Sequence, residues 1–184
     1  MLKRIVVLVS GGGTNLQALI DAQQRGELAG GEISCVISSH VDAFALTRAK
    51  NVGIPTRVLP RRDYSSRAEY DHALGVVLEE ERPDLIVLAG FLYVLGQELV
   101  KRYDRRIINV HPSLIPAFCG DGFWGLRVHE AALARGVRMT GATVHFVNEI
   151  TDGGQILLQK AVEVLDGDTP ETLQKRVMQQ AEWD

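Results

Sequence analysis

Apolar positions come in strand-sized blocks separated by stretches of helical periodicity. Residues 4–10, Arg-Ile-Val-Val-Leu-Val-Ser, are a nearly unbroken aliphatic run, the pattern of a strand buried on both faces. Gly11, Gly12, Gly13, Thr14 and Asn15 follow at once, and an amphipathic segment continues to Arg25. The unit then repeats. A strand is predicted over 33–38, with a helix from 43 to about 50 that Asn51-Val52-Gly53 stops. A short strand over 56–59 comes next, then a third helix that opens near Arg61, Arg62 and Arg67 and runs to about 80. Pro83-Asp84 introduces a strand over 85–89 whose exit, Gly-Phe-Leu-Tyr-Val-Leu at 90–95, stays apolar past the expected turn. A β-branched run begins at Ile107 and stops abruptly at Asn109, His111 and Pro112. Beyond it the pattern predicts a helix over 126–135 and strands over 140–147 and 156–164. Asp168-Thr169-Pro170-Glu171 puts proline at the first position of a final helix that runs to about Glu182.

Strands alternating with helices argue for parallel pairing through right-handed crossovers. The expected class is α/β, a single-domain, Rossmann-like open and mostly parallel sheet with helices on both faces. With 184 residues and 46% hydrophobic content, one domain with a substantial core is the economical reading. A net charge of -3 and a pI near 6.0 give no sign of a nucleic-acid surface. The apolar runs are strand-sized, and the start of the chain lacks a signal-peptide pattern, so no membrane partner and a cytoplasmic location are expected. Neither Cys35, in an apolar run, nor Cys119, beside a glycine, has a spacing that suggests zinc or disulfides.

The chemistry concentrates where the run beginning at Ile107 ends. Asn109 and His111 are two apart on an extended chain and so share a face, at the carboxyl end where open parallel sheets bind ligands. An amide N–H can stabilise an oxyanion and an imidazole can move protons, a pairing that suits acyl transfer. A carboxylate to favour imidazolium is then expected, and Asp152 in Thr-Asp-Gly-Gly is the candidate. The glycines after it would allow a tight turn close to a ligand. A strand-end histidine can equally be a packing residue, and Asp-Gly-Gly a plain turn; spacing leaves both open. The Gly11–Asn15 stretch suits an anion at a helix start, but it lacks both the lysine of a Walker loop and the dinucleotide spacing. The glycines and aromatics of 120–126 suggest a flap beside the site, or a surface loop capped by buried aromatics, and His129 reads as structural or solvent-facing.

Asn109-x-His111-Pro112-Ser113-Leu114, then Thr140-Gly141-Ala142-Thr143-Val144-His145-Phe146-Val147, then Asp152-Gly153-Gly154 resembles the formyltransferase family that uses formyl-tetrahydrofolate. The resemblance covers nearly the whole chain and is strongest to the branch that formylates glycinamide ribonucleotide in purine biosynthesis. It implies 10-formyltetrahydrofolate as co-substrate, no metal, and Asn109, His111 and Asp152 as the catalytic group. By the family's Ser-Gly-x-Gly-Ser/Thr-Asn-Leu pattern, Gly13, Thr14 and Asn15 would hold the ribonucleotide phosphate, and Glu182 would contact the same substrate. Folate contacts would come from Arg67, Leu92, Tyr93, Val94, Leu95 and Asn109, and from the loop Asn148, Glu149, Ile150, Thr151, Asp152. Thr143 and His145 would support Asp152 and a held water. The alternatives are a formyltetrahydrofolate deformylase and a non-catalytic folate- or nucleotide-binding protein. Relatives continue beyond the position of Asp184, so the domain is expected to be short at its carboxyl end, and a homodimer stays open.

Overall fold

The aliphatic residues of β1 (Lys3–Val9) leave it no polar face to turn to water, and Val6, Val7, Leu8 and Val9 are all fully buried. The computed structural model describes residues 2–183. The chain divides into two compact units, Met1–Ile108 and Asn109–Asp184.

In the first unit β1 pairs parallel with β2 (Gly31–Ser38) on one side and with β4 (Leu85–Leu88) on the other, and β3 (Thr56–Val58) lies parallel beyond β2. Val7 and Val9 of β1 pack in one cluster with Leu16 and Ile20 of α1 (Thr14–Gln24) and with Ala45 and Ala49 of α2 (Phe44–Asn51). Val6 and Leu8 alternate to the opposite face, which is closed as well. Cys35 is buried, and burial together with the nearby Glu81 carboxylate pushes its thiol up to about 12, as suits an inert core residue. Glu81 ends α3 (Arg67–Glu81), which opens on a Ser66 cap whose hydroxyl accepts the Glu69 N–H at 3.1 Å. α4 (Gln97–Arg102) was not legible in the sequence; its six residues carry too little periodicity to register.

Hydrogen-bonded strands follow the order β3-β2-β1-β4-β5-β6-β7, with β5 spanning Ile107–His111, β6 Met139–Phe146 and β7 Ile156–Glu163. The order reverses at β1. The connections after β1 and β4 therefore diverge, and the carboxyl ends of this strand pair open the crevice where such sheets take ligands.

In the second unit β6 and β7 pair antiparallel, Met139 opposite Glu163 and Thr140 opposite Val162, so the sheet is mostly rather than wholly parallel. Ala132 of α5 (Leu126–Arg135) and Leu173 and Val177 of α6 (Pro170–Val177) pack with Ala142 and Val162. The start of α6 is as predicted, with Pro170 in the first turn and Thr169 and Thr172 capping each other. The α-helix stops at Val177, and Met178–Glu182 continues as a wider π-helical turn. Among the described residues no helix is long and apolar enough to cross a membrane.

Candidate active site

The second unit gathers Asn109, His111, His145 and Asp152. The first two leave the end of β5 on one face, His145 comes from β6, and Asp152 from the turn after it. His111 Nδ1 lies 3.4 Å from Asp152 Oδ2, and His145 Nε2 lies 3.5 Å from Asp152 Oδ1. All three side chains are nearly closed to water, at 5%, 2% and 9% exposure for His111, His145 and Asp152. Burial by itself raises the Asp152 carboxyl, but hydrogen bonds from His145 and the Gly120 amide, with the charge of His111, outweigh it and hold the group below the usual range. Asp152 is therefore a buried carboxylate.

Proton positions follow from the partners. His111 Nε2 donates to the Phe118 carbonyl at 2.8 Å while its Nδ1 faces the carboxylate, so both nitrogens meet acceptors, a setting that only imidazolium fully satisfies. His145 donates from Nδ1 to the Phe146 carbonyl at 2.9 Å, and its Nε2 lies 3.3 Å from Asn109 Nδ2.

The turn that carries Asp152 depends on its glycines in a way the sequence did not indicate. Asp152 itself takes the left-handed conformation, φ 53°. A Cβ on Gly153 would lie 2.6 Å from Ile150 Cγ2, and one on Gly154 would overlap the Phe146 carbonyl. The glycines are thus required by close chain approach rather than by a positive φ. Loop 120–125 is part of the site: the Gly120 N–H donates to Asp152 Oδ2 at 2.9 Å, and Thr151 Oγ1 donates to Asp121 Oδ1 at 3.0 Å. Its Trp124 is 52% exposed, under the Arg127 guanidinium, so buried aromatics do not cap it. Asn148 accepts the Ile150 N–H at 2.9 Å and donates to the Gly153 carbonyl at 3.2 Å, which folds the 148–152 loop on itself, while Ile150 projects with 68% exposure. Glu149 is exposed on the same loop.

Thr143 serves the turn after β5. It is fully buried, donates to the Ser113 carbonyl at 2.6 Å and accepts the Ile115 N–H at 3.1 Å, next to the cis Ile115-Pro116 bond. His129 is fully buried and its ring nitrogens find no partner among the described residues, so it is not solvent-facing. Burial, aided by His111, lowers it to about 4 and keeps it neutral. Glu182 closes the π-helical turn and is half-buried. The contributions of Phe118 and Gly120 were missed because backbone groups carry no residue signature; the glycine-bearing loop just beyond His111 was the only hint. Among the described residues, no three His, Cys, Asp or Glu side chains are grouped to hold a metal ion.

In the first unit Gly13 caps α1 with φ 71°, and a Cβ there would lie 2.6 Å from Ala45 Cβ. No side chain caps this helix. Thr14 and Asn15 are its first residues. In the segment after β4, Leu92 and Val94 are 65% and 52% exposed while Leu95 is buried. The Leu95 carbonyl accepts from Arg67 Nη2 at 2.5 Å, and the Tyr93 hydroxyl donates to the Arg67 carbonyl at 3.2 Å. Arg67 and the 92–95 segment are thereby brought together.

A profile described as Formyl transferase matches residues 3–183. The chain belongs to the formyl transferase family. Within that family it is 45% identical over 174 residues to the human trifunctional purine biosynthetic protein adenosine-3, a match to 95% of this chain that spans only 17% of the length of that relative. To a phosphoribosylglycinamide formyltransferase of Haemophilus influenzae it is 42% identical over 179 residues, 97% of this chain and 82% of that one. The solved phosphoribosylglycinamide formyltransferase of Coxiella burnetii superposes with a TM-score of 0.90 at 42% identity, covering all of this formyl transferase chain and 82% of the other.

Proposed function

We propose that this chain transfers the formyl group of 10-formyltetrahydrofolate to the primary amine of glycinamide ribonucleotide, giving formylglycinamide ribonucleotide and tetrahydrofolate. The observation that carries the reading is the Asp152 carboxylate, buried between His111 and His145 beside Asn109, in a chain 42% identical over 179 residues to a phosphoribosylglycinamide formyltransferase.

The amine attacks the formyl carbon, and the carbonyl π pair moves to oxygen as the C–N bond forms. The Asn109 amide N–H stabilises that oxyanion, and the His111 imidazolium adds positive charge. Collapse breaks the bond to the folate nitrogen. One proton leaves the attacking nitrogen and one reaches the leaving nitrogen, so none is consumed, and His111, held by Asp152, assists the transfer. Gly13, Thr14 and Asn15 offer the start of α1 to the ribonucleotide phosphate. Leu92 and Val94 offer exposed apolar surface to the pterin. These assignments, the part of Glu182 and a cytoplasmic setting belong to the same reading.

The test follows the absorbance change of formyl-folate conversion with purified protein. Turnover that requires glycinamide ribonucleotide supports the transferase. Turnover with water alone points to a deformylase, and none in either case overturns the catalytic reading.

A further inference from the structure

We propose that Ser10 and Ser39 are positioning residues for the folate-binding segment 90–95, an inference that rests on the reading of that segment given above. Ser10 is the first residue beyond β1. Its N–H donates to the Gly90 carbonyl at 3.2 Å, and its Oγ accepts the Leu92 N–H at 3.0 Å. These two bonds tie the connection after β1 to the connection after β4, at the point where the strand order reverses.

Behind this tie stands a second hydroxyl. Ser10 Oγ lies 2.7 Å from Ser39 Oγ, which lies 3.0 Å from His40 Nδ1. Each hydroxyl has one hydrogen. With the Leu92 N–H directed at Ser10, the Ser10 O–H donates to Ser39 and the Ser39 O–H donates to His40 Nδ1, so each donor has one acceptor. Ser10 is 7% exposed and Ser39 3%, so water is poorly placed to replace either hydroxyl.

The far end of the segment is held by Arg67 on the Leu95 carbonyl. Between these anchors Leu92 and Val94 turn apolar side chains outward. An exposed Leu92 side chain on a locked amide is a preformed surface, and unlocking that amide lets the chain from Phe91 to Leu92 sample other conformations before a flat ring can bind.

Ser10→Ala removes the acceptor, and Ser39→Ala removes only the group that orients it. The expected result is a KM for formyl-folate raised about 3- to 10-fold in Ser10→Ala and less in Ser39→Ala. The kcat at saturation and the KM for glycinamide ribonucleotide should stay within about twofold, since the loss falls on one hydrogen bond outside the catalytic cluster. Hydrogen exchange of the Leu92 amide should accelerate in Ser10→Ala, and Ser39→Thr, which keeps the hydroxyl, should restore the folate KM. Unchanged Leu92 exchange, an unchanged folate KM, or an equal rise in both KM values overturns the proposal. A direct titration with tetrahydrofolate separates the two readings. Wild type that fails to bind refutes the folate site and this inference with it, whereas equal binding by wild type and Ser10→Ala refutes only the positioning role.

Discussion

Asp152→Asn isolates the charge at the centre of the site. The asparagine side chain is nearly isosteric, and its oxygen can still accept the Gly120 N–H that meets Oδ2 at 2.9 Å, so the turn keeps its form. What is lost is the carboxylate between His111 Nδ1 at 3.4 Å and His145 Nε2 at 3.5 Å. At 3.4 Å and an effective dielectric near 20, one such charge pair amounts to about 5 kcal/mol. A loss of about 3–6 kcal/mol corresponds to kcat falling by about 10²- to 10⁴-fold. The assay is formyl transfer at saturating concentrations of both substrates, with folate affinity measured separately so that a binding defect is not read as a chemical one. A variant that keeps kcat within about fivefold of wild type at unchanged folate affinity would refute the role given to the carboxylate. Stability gives an independent check. A carboxyl held below its ordinary 3.8 contributes stability that is present above that value and lost as pH falls through the folded pKa. The variant should therefore be less stable than wild type at neutral pH, and the gap should close in acid.

Asn109→Ala removes the amide assigned to the oxyanion, and kcat at saturating folate should drop by about 10²- to 10³-fold in the same assay. Gly154→Ala forces a Cβ onto the Phe146 carbonyl; a loss of about 3 kcal/mol or more is expected, read as a melting temperature lower by roughly 6–12 °C. His129→Leu replaces a buried imidazole without partners by an apolar side chain and should be neutral to mildly stabilising at pH 7. Because His129 is depressed from 6.5 to about 4, wild type has this contribution in full above 6.5 and loses it as pH falls toward 4. The leucine variant should gain on wild type across that window by about 3 kcal/mol, measured by urea unfolding at a series of pH values.

The strands and most helices were legible because burial on both faces and helical periodicity are written in residue type. β1 and the start of α6 followed the pattern closely, the latter because Pro170 and Thr169 act locally. α4 was missed as a helix of six residues, and the change from α to π winding after Val177 was not legible because a π-helical turn preserves the sequence character of a helix.

For the site, the sequence alone determined that Asn109 and His111 share a face at a strand's end, since a period of two is fixed by the extended backbone. It also singled out Asp152, though only as a candidate. Tertiary structure alone decided that Asp152 faces two imidazoles, that Phe118 and Gly120 complete their hydrogen bonds through the backbone, and that Ser10 holds the Leu92 amide. Gly154 shows the same division: the residue is visible in the sequence, but the carbonyl that forbids a side chain there belongs to Phe146, eight positions away. Local rules act through a residue's own side chain and its near neighbours. Contacts between distant backbone groups arise only when packing brings the chain back on itself, and every residue carries the same N–H and C=O, proline's missing N–H apart.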